Sequence, residues 1–430
     1  MAIDSGDTAW VITATALVMI MTPALGFFYG GLVRQKNLVA TIVQCLMIFS
    51  IVSIVWALWG YTLTFGPGFD GVIGNLSKLG LMNVGAAPNP AYSNVIPELL
   101  FFAFQLKFAA ITPALIIGAF AGRVRLKGLL VFIVAWTTLI YVPIAMWIWN
   151  PAGWLHHLGV IDFAGGLVVH TSAGVSAVAA ALVLGQGVDF GRSSRPNNVP
   201  YVILGTAILW FGWFGFNAGS ALAANDVAVN ALVDTNLAAA AAGVSWMLVD
   251  WIRKGRPSAV GMAVGAVCGL AAVTPAAGFV SPGDSMLIGL VAGILSNYVA
   301  NWRARTRLDD SLDVFACHGA GGMWGTIATG LFASTAINAA GPNGLVYGNP
   351  HLLLVQLFGV GVVAGFAFVG SYVLLRVINY FTPLRVPPAE ENAGLDLSEF
   401  GEAAYDLTGG PEATSANGNG ISAAAKESRA

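Results

Sequence analysis

Apolar residues run along this chain in long unbroken blocks, and the polar residues collect between them. A helix that crosses a bilayer needs about 17–25 such residues. The first block is Ala9 to Val33. The others run near Leu38–Phe65, Leu99–Gly122, Gly128–Trp149, Phe163–Gly187, Val199–Ala221, Leu232–Trp251, Ala259–Val280, Met286–Ala300, Gly319–Ser334 and Leu352–Ile378. The pattern predicts eleven transmembrane helices, with the ninth and tenth short. Strands of a membrane barrel would be about ten residues of alternating polarity, and these blocks do not alternate. The fold class read from the chain is an all-α polytopic membrane protein.

The basic residues set its direction. Arg34 and Lys36 follow block one; Arg123, Arg125 and Lys127 follow block three; Arg192 and Arg195 follow block five. Arg253, Lys254 and Arg256 follow block seven, Arg303, Arg305 and Arg307 follow block nine, and Arg376 and Arg385 close block eleven. Every cluster follows an odd-numbered block, and the loops after the even blocks hold only Lys78. Basic loops stay on the cytoplasmic side, so the N-terminus is expected outside and the C-terminus inside. Asp4 and Asp7 precede the first block without a Lys or Arg, so this is not the basic start of a cleaved signal peptide.

Composition agrees. Hydrophobic residues make up 57% and charged residues 9% of 430, against about 25% charged in a soluble domain. Glycine, at 53 residues, suits helices whose backbones approach closely in lipid. A net charge of −2 sets nucleic acid aside as a partner. Cys45, Cys268 and Cys317 lie in or beside apolar blocks with no paired spacing, which gives neither a disulfide framework nor a zinc site. Residues 1–385 read as the membrane domain and 386–430 as a cytoplasmic tail. Order against the inner face is expected up to Tyr405, and a Gly/Ala/Ser/Asn-rich stretch from Gly409 reads as disordered.

An internal echo divides the blocks. Asp162-Phe-Ala-Gly-Gly-Leu-Val-Val-His170 enters block five, and Asp310-Ser-Leu-Asp-Val-Phe-Ala-Cys-His318 enters block ten. Thr112-Pro113-Ala114 and Thr274-Pro275-Ala276 sit in blocks three and eight. An offset of five reverses topology, so the echo suggests two inverted five-helix halves plus an eleventh helix, with a path at their interface.

Ionisable residues inside a membrane are costly and point to function. His170 and His318 would face each other across that path, as neutral rings each offering one donor and one acceptor nitrogen. The competing reading is two unrelated core histidines. Phe108 and Phe216 are candidates for an apolar constriction or for plain helix packing. Trp149 is either a cation-binding ring face or an interfacial belt residue. Ser220 either serves a polar solute or bonds back to a helical carbonyl. Asp162 caps block five or adds negative potential to an outer pocket, and Asp310 is its inner counterpart. Lys107 is the one Lys or Arg in the interior of a block, away from its ends, expected to reach a vestibule or a carboxylate. No third or fourth ligand converges for a metal, no cofactor is indicated, and no nucleophile–base–orienter cluster suggests an enzyme.

These residues bring out a resemblance. The chain resembles the ammonium transporters of the Amt/Mep/Rh superfamily, on the Amt branch. The matching stretches are Phe28-Tyr-Gly-Gly-Leu-Val-Arg34 with Lys36-Asn37, Phe104-Gln105 with Phe108-Ala-Ala-Ile-Thr-Pro-Ala114, the Asp162-to-His170 run, Gly212-Trp-Phe-Gly-Phe-Asn-Ala-Gly-Ser220, Val273-Thr-Pro275, Asp313-Val-Phe with His318-Gly, and Pro388 through Ser398. It departs from the family at Ala24-Leu-Gly-Phe27, Lys107 and Val264. The resemblance implies NH4+ recruitment at Trp149, Ser220 and Phe108, a gate of Phe108 and Phe216, and a twin-histidine pore of His170 and His318. It implies a role for Asp162 in binding or deprotonation, and pore-near or supporting places for Phe104, Trp213, Thr274 and Asp310. It further implies a homotrimer in the cell membrane and a PII-type regulatory partner at the cytoplasmic face. An ammonium sensor with little transport and an Rh-like gas channel are the alternatives. The short low-complexity tail speaks against the first and Trp149 against the second.

Overall fold

The computed structural model describes residues 2–191 and 195–405. Arg192 and the tail beyond Gly409, on which two of the expectations fall, lie outside the described residues.

The long helices are α1 (Ser5–Leu32), α2 (Gln35–Phe65), α3 (Glu98–Phe120), α4 (Leu126–His157), α5 (Gly166–Leu184), α6 (Val199–Ala221) and α7 (Asp226–Lys254). They continue as α8 (Ala259–Val273), α9 (Pro282–Arg303), a π turn Phe315–Gly319 that runs into Ala320–Phe332 (together α10), and α11 (Pro350–Phe381). Among the described residues, nine of these are long and apolar enough to cross a membrane, all but α8 and α10. A two-strand ribbon, Gly68–Phe69 with Ile73–Gly74, sits in the loop after α2.

Local chemistry moved several boundaries from where hydropathy puts them. The ninth helix is 22 residues, not a short one, because Ser281 and Asp284 form a reciprocal capping box and Pro282 starts the first turn. The eighth ends at Val273, where Thr274–Pro275 begins a chain of turns. The tenth starts at Phe315, ahead of the expected Gly319, because the Asp310 carboxylate accepts the N–H groups of Val314 (3.1 Å) and Phe315 (2.8 Å).

Small residues let the helices meet backbone to backbone. A Cβ on Gly289 would strike the Ala238 carbonyl, which is how α9 lies against α7. Arg34, Arg123 and Arg303 lie at one end of the bundle. There Arg123 bonds the Asp309 carbonyl at 2.6 Å and Ser311 at 2.5 Å, Arg303 pairs with Asp313 at 2.8 Å, and Arg34 pairs with Asp189. The tail returns to this end as α12 (Pro388–Ala393) and α13 (Leu395–Phe400). Asp396 caps the α-helical part of α2, which starts at Leu38 after the 3-10 turn Gln35–Asn37, accepting from Ala40 N–H at 2.7 Å and Val39 N–H at 3.1 Å. Burial pushes the Asp396 carboxyl above its usual range, and those N–H groups pull it part of the way back. Glu391 ties the tail to Arg385 (2.8 Å) and to the Val188 N–H (2.7 Å).

Candidate functional site

The two histidines are held by matching devices. Asp162 accepts four N–H groups, from Gly165 (2.8 Å), Gly166 (2.7 Å), Leu167 (2.8 Å) and Val168 (3.1 Å). That cluster starts α5 as a π turn, Gly166–Thr171, which carries His170. Asp310 starts the π turn that carries His318. A π turn widens the helix locally and redirects the side chains on it. Glycines then let the two turns approach: a Cβ on Gly174 would strike the Gly319 backbone, and one on Gly322 the Gly166 carbonyl.

His170 and His318 come together with Nδ1 atoms 3.3 Å apart and rings nearly parallel, at 17°. Both side chains are buried. A hydrogen bond between two Nδ1 atoms requires one ring to donate and the other to accept, so two neutral rings fit it and two imidazolium rings do not. The donor ring then has a bare Nε2, and the acceptor ring an Nε2–H. His170 Nε2 is buried without a protein partner. The rings and their neighbours Leu25, Ile111, Leu115, Val169, Leu209, Trp213, Phe216 and Val267 line a slot of about 10 Å³, close to the room one water requires.

Above the slot stand two phenylalanines. Phe108 and Phe216 have ring centroids 4.4 Å apart, and Phe216 in turn lies 6.0 Å from the His170 ring. Phe104 packs edge-on against Phe108 at 4.9 Å. Trp213 stacks on His170 at 5.4 Å and donates its indole N–H to Thr274 Oγ1 at 2.9 Å. The next space is a vestibule of about 230 Å³, lined by aromatic residues including Phe65, Tyr92, Phe101, Phe108, Trp149 and Phe163, with Gln105, His156 and Ser220. Trp149 lies edge-on to Phe108 at 5.7 Å and is fixed by a bond from its N–H to the Asp162 carbonyl at 2.8 Å. Ser220 donates to the Phe216 carbonyl at 2.9 Å, which leaves its oxygen lone pairs free to accept.

At the basic end a cavity of about 750 Å³ opens, lined among others by Leu32, Arg123, Val260, Val264, Arg303, Asp313 and Glu391. The helices give the order of these spaces. Along α3, Phe101, Gln105 and Phe108 line the vestibule, Ile111 and Leu115 the slot, and Ala121 beyond its end the basic cavity. Along α8, Val267 faces the slot, and Val264 and Val260 the basic cavity.

The slot and vestibule thus bring together Phe108, Trp149, His170, Trp213, Phe216, Ser220 and His318, and the two Asp residues take the capping position open to them in the sequence. The carboxylates of Asp162 and Asp310 are turned onto backbone N–H groups. Lys107 lies over the Phe49 ring, its Nζ 5.2 Å from the centroid, rather than at a carboxylate. The vestibule wall of Phe65, Tyr92 and Phe101 escaped sequence reasoning. Its signal was present as aromatics flanking the loop between α2 and α3.

A bundle of apolar helices threaded by such a path is a multi-pass membrane transport protein. Comparison with known proteins names the kind. The family model described as Ammonium Transporter Family matches residues 9–405. An ammonium transporter of Bacillus subtilis is 47% identical over 93% of this chain and 98% of its own length. The ammonium transporter Amt1 of Archaeoglobus fulgidus is 44% identical over 94% and 100%. Among solved structures, Saccharomyces cerevisiae Mep2 aligns with a TM-score of 0.85 at 36% identity, covering 90% of this chain and 89% of its own. A sensor Amt protein aligns at 0.84 and 32%, covering 92% and 98%. The chain belongs to the ammonium transporter family. It is a membrane transporter of ammonium, resident in the cell membrane, and not an enzyme.

Proposed function

We propose that ammonium enters at the Trp149 end, sheds a proton near the Phe108–Phe216 gate, and passes the His170–His318 slot as NH3, while the proton travels inward along the hydrogen-bonded imidazole pair, so that one charge crosses with each NH3. The observation that carries this reading is the sequence of spaces, wide, then about 10 Å³, then wide again. A bare cation in a dry apolar slot costs many kcal/mol. Ammonium escapes that cost by losing a proton; potassium has none to lose. In the vestibule the Trp149 face and the Ser220 oxygen hold the cation, a ring face contributing about 0.5–2 kcal/mol. Below the gate, neutral imidazole nitrogens replace the hydrogen bonds that NH3 leaves behind in water. Asp162 and Asp310 act here as positioning residues. Asp162 sets both Trp149, through its carbonyl, and His170, through the π turn.

In this reading all eleven helices cross the bilayer, and the paired Asp–π turn–His units mark two inverted halves. The N-terminus and vestibule face outward, and the basic cavity faces the cytoplasm. Residues 1–385 form the transport domain, and 386–430 the cytoplasmic tail. Three copies assemble, each with its own path, and the basic cavity with the docked tail receives a PII-type regulatory protein.

The likeness to a sensor Amt protein favours a second reading, in which the site binds ammonium and conducts little. Purified protein in liposomes on a solid-supported membrane separates the two. An ammonium jump is expected to give a saturable current and a potassium jump none. Absence of both a current and a stopped-flow change of internal pH would leave the sensor reading instead.

A further inference from the structure

Glu98 begins α3 and is buried, its side chain 7% exposed. Three donors converge on its Oε1: Lys78 Nζ at 2.5 Å, Tyr61 OH at 2.8 Å and Asn89 Nδ2 at 2.9 Å. The donors come from two elements. Lys78 and Asn89 belong to the loop between α2 and α3, and Tyr61 to α2. Backbone bonds from Glu98 N–H to the Ala87 carbonyl and from Leu99 N–H to the Gly85 carbonyl, each 3.0 Å, close the same loop onto the start of α3.

The cluster sits directly behind the vestibule wall. Phe101, Gln105 and Phe108 follow Glu98 on one stripe of α3, at helical spacing, and all three line the vestibule. Asn89 opens the turn that carries Tyr92, whose N–H bonds the Asn89 carbonyl at 2.9 Å. Tyr92 stacks on Phe101 at 4.7 Å and 10°, and its hydroxyl bonds the Phe65 carbonyl at 2.7 Å. Phe65 packs edge-on against both, at 5.1 and 4.9 Å. The pairing also matters for charge. Lys78 is the one Lys or Arg in this loop, and Glu98 neutralises it at the rim of a site for a cation.

We propose that the Glu98–Lys78 pair is a positioning brace that fixes the Tyr92–Phe101–Phe65 wall and so sets the ammonium concentration at which transport saturates. The inference rests on the reading of the vestibule as the recruitment site. A brace and a mere field effect differ in sign. Breaking a brace from either side loosens the wall, whereas removing the two charges in turn moves a cation's affinity in opposite directions.

The test compares ammonium-jump currents of the full chain in liposomes for E98Q, K78M, the double variant, Tyr92→Phe and Trp149→Leu. The brace predicts that E98Q and K78M each raise the half-saturating ammonium concentration at least about fivefold, since each leaves a largely buried charge without its counter-charge. Maximal current should change by less than about twofold, because the slot is untouched. The double variant should recover part of the loss, since no buried charge is then left alone. Tyr92→Phe keeps the ring and loses one bond, so it should give a smaller rise in the same direction; it decides the matter if E98Q does not fold. Opposite shifts for E98Q and K78M would overturn the brace. Unchanged saturation in both, with a raised value in Trp149→Leu, would overturn the brace and leave the vestibule reading standing. An unchanged Trp149→Leu would remove the reading itself and the proposal with it.

Discussion

The two histidine-bearing helices begin alike and end in different company. Each has an Asp eight residues ahead of its His, a carboxylate on backbone N–H groups, and a π turn. Asp162 holds four N–H groups, and Asp310 holds two. The His170 ring is stacked with those of His318, Trp213 and Phe216, at 5.2, 5.4 and 6.0 Å, whereas His318 stacks with His170 and lines the slot. The same local chemistry thus supplies both rings, and the neighbouring aromatics Trp213 and Phe216 stack on His170. Function follows from the neighbours as much as from the motif.

That asymmetry can be broken in graded steps. Asp162→Ala should have the largest effect on stability, at least about 3 kcal/mol, because four buried N–H groups lose a charged acceptor together. Asp310→Ala should cost about 1–2 kcal/mol, the range of a lost cap. Thermal denaturation in detergent ranks the two, and an equal or reversed order would contradict the account. Trp213→Phe removes the bond to Thr274 and part of the His170 stack. It should cut maximal current several-fold at unchanged half-saturation, since it acts below the vestibule. Ser220→Ala should do the reverse and least, raising half-saturating ammonium by about two- to fivefold for one lost acceptor, an effect on the order of 0.5–1 kcal/mol. Concentration series of the current separate these last two.

Much of this was legible in the sequence, for physical reasons. The Asp-to-His spacing marks both π turns because a capping carboxylate fixes where each helix starts. Phe108 and Phe216 are readable as a constriction or as ordinary packing, and the chain's order does not show that their rings meet at 4.4 Å. Hydropathy misplaces polar residues near helix ends. The apolar block at Leu232 leaves Asp234 on its edge, yet the helix begins at Asp226 and takes Asp234 fully inside, where Asn230 bonds it at 2.8 Å. Nor could the chain's order reveal that residues some 350 positions apart meet, as Asp396 does in capping α2. The aromatic wall of the vestibule is likewise made by a loop, and loop placement depends on bonds such as those at Glu98.

The central claim is that NH3 passes along the slot lined by His170 and His318. Its most direct test is the ammonium-jump current, with potassium as control, of the protein in liposomes when His170 or His318 is replaced by Leu. The account predicts that the ammonium current is abolished in each variant, or that it loses its discrimination against potassium. Unchanged, selective currents and uptake in both variants would contradict it.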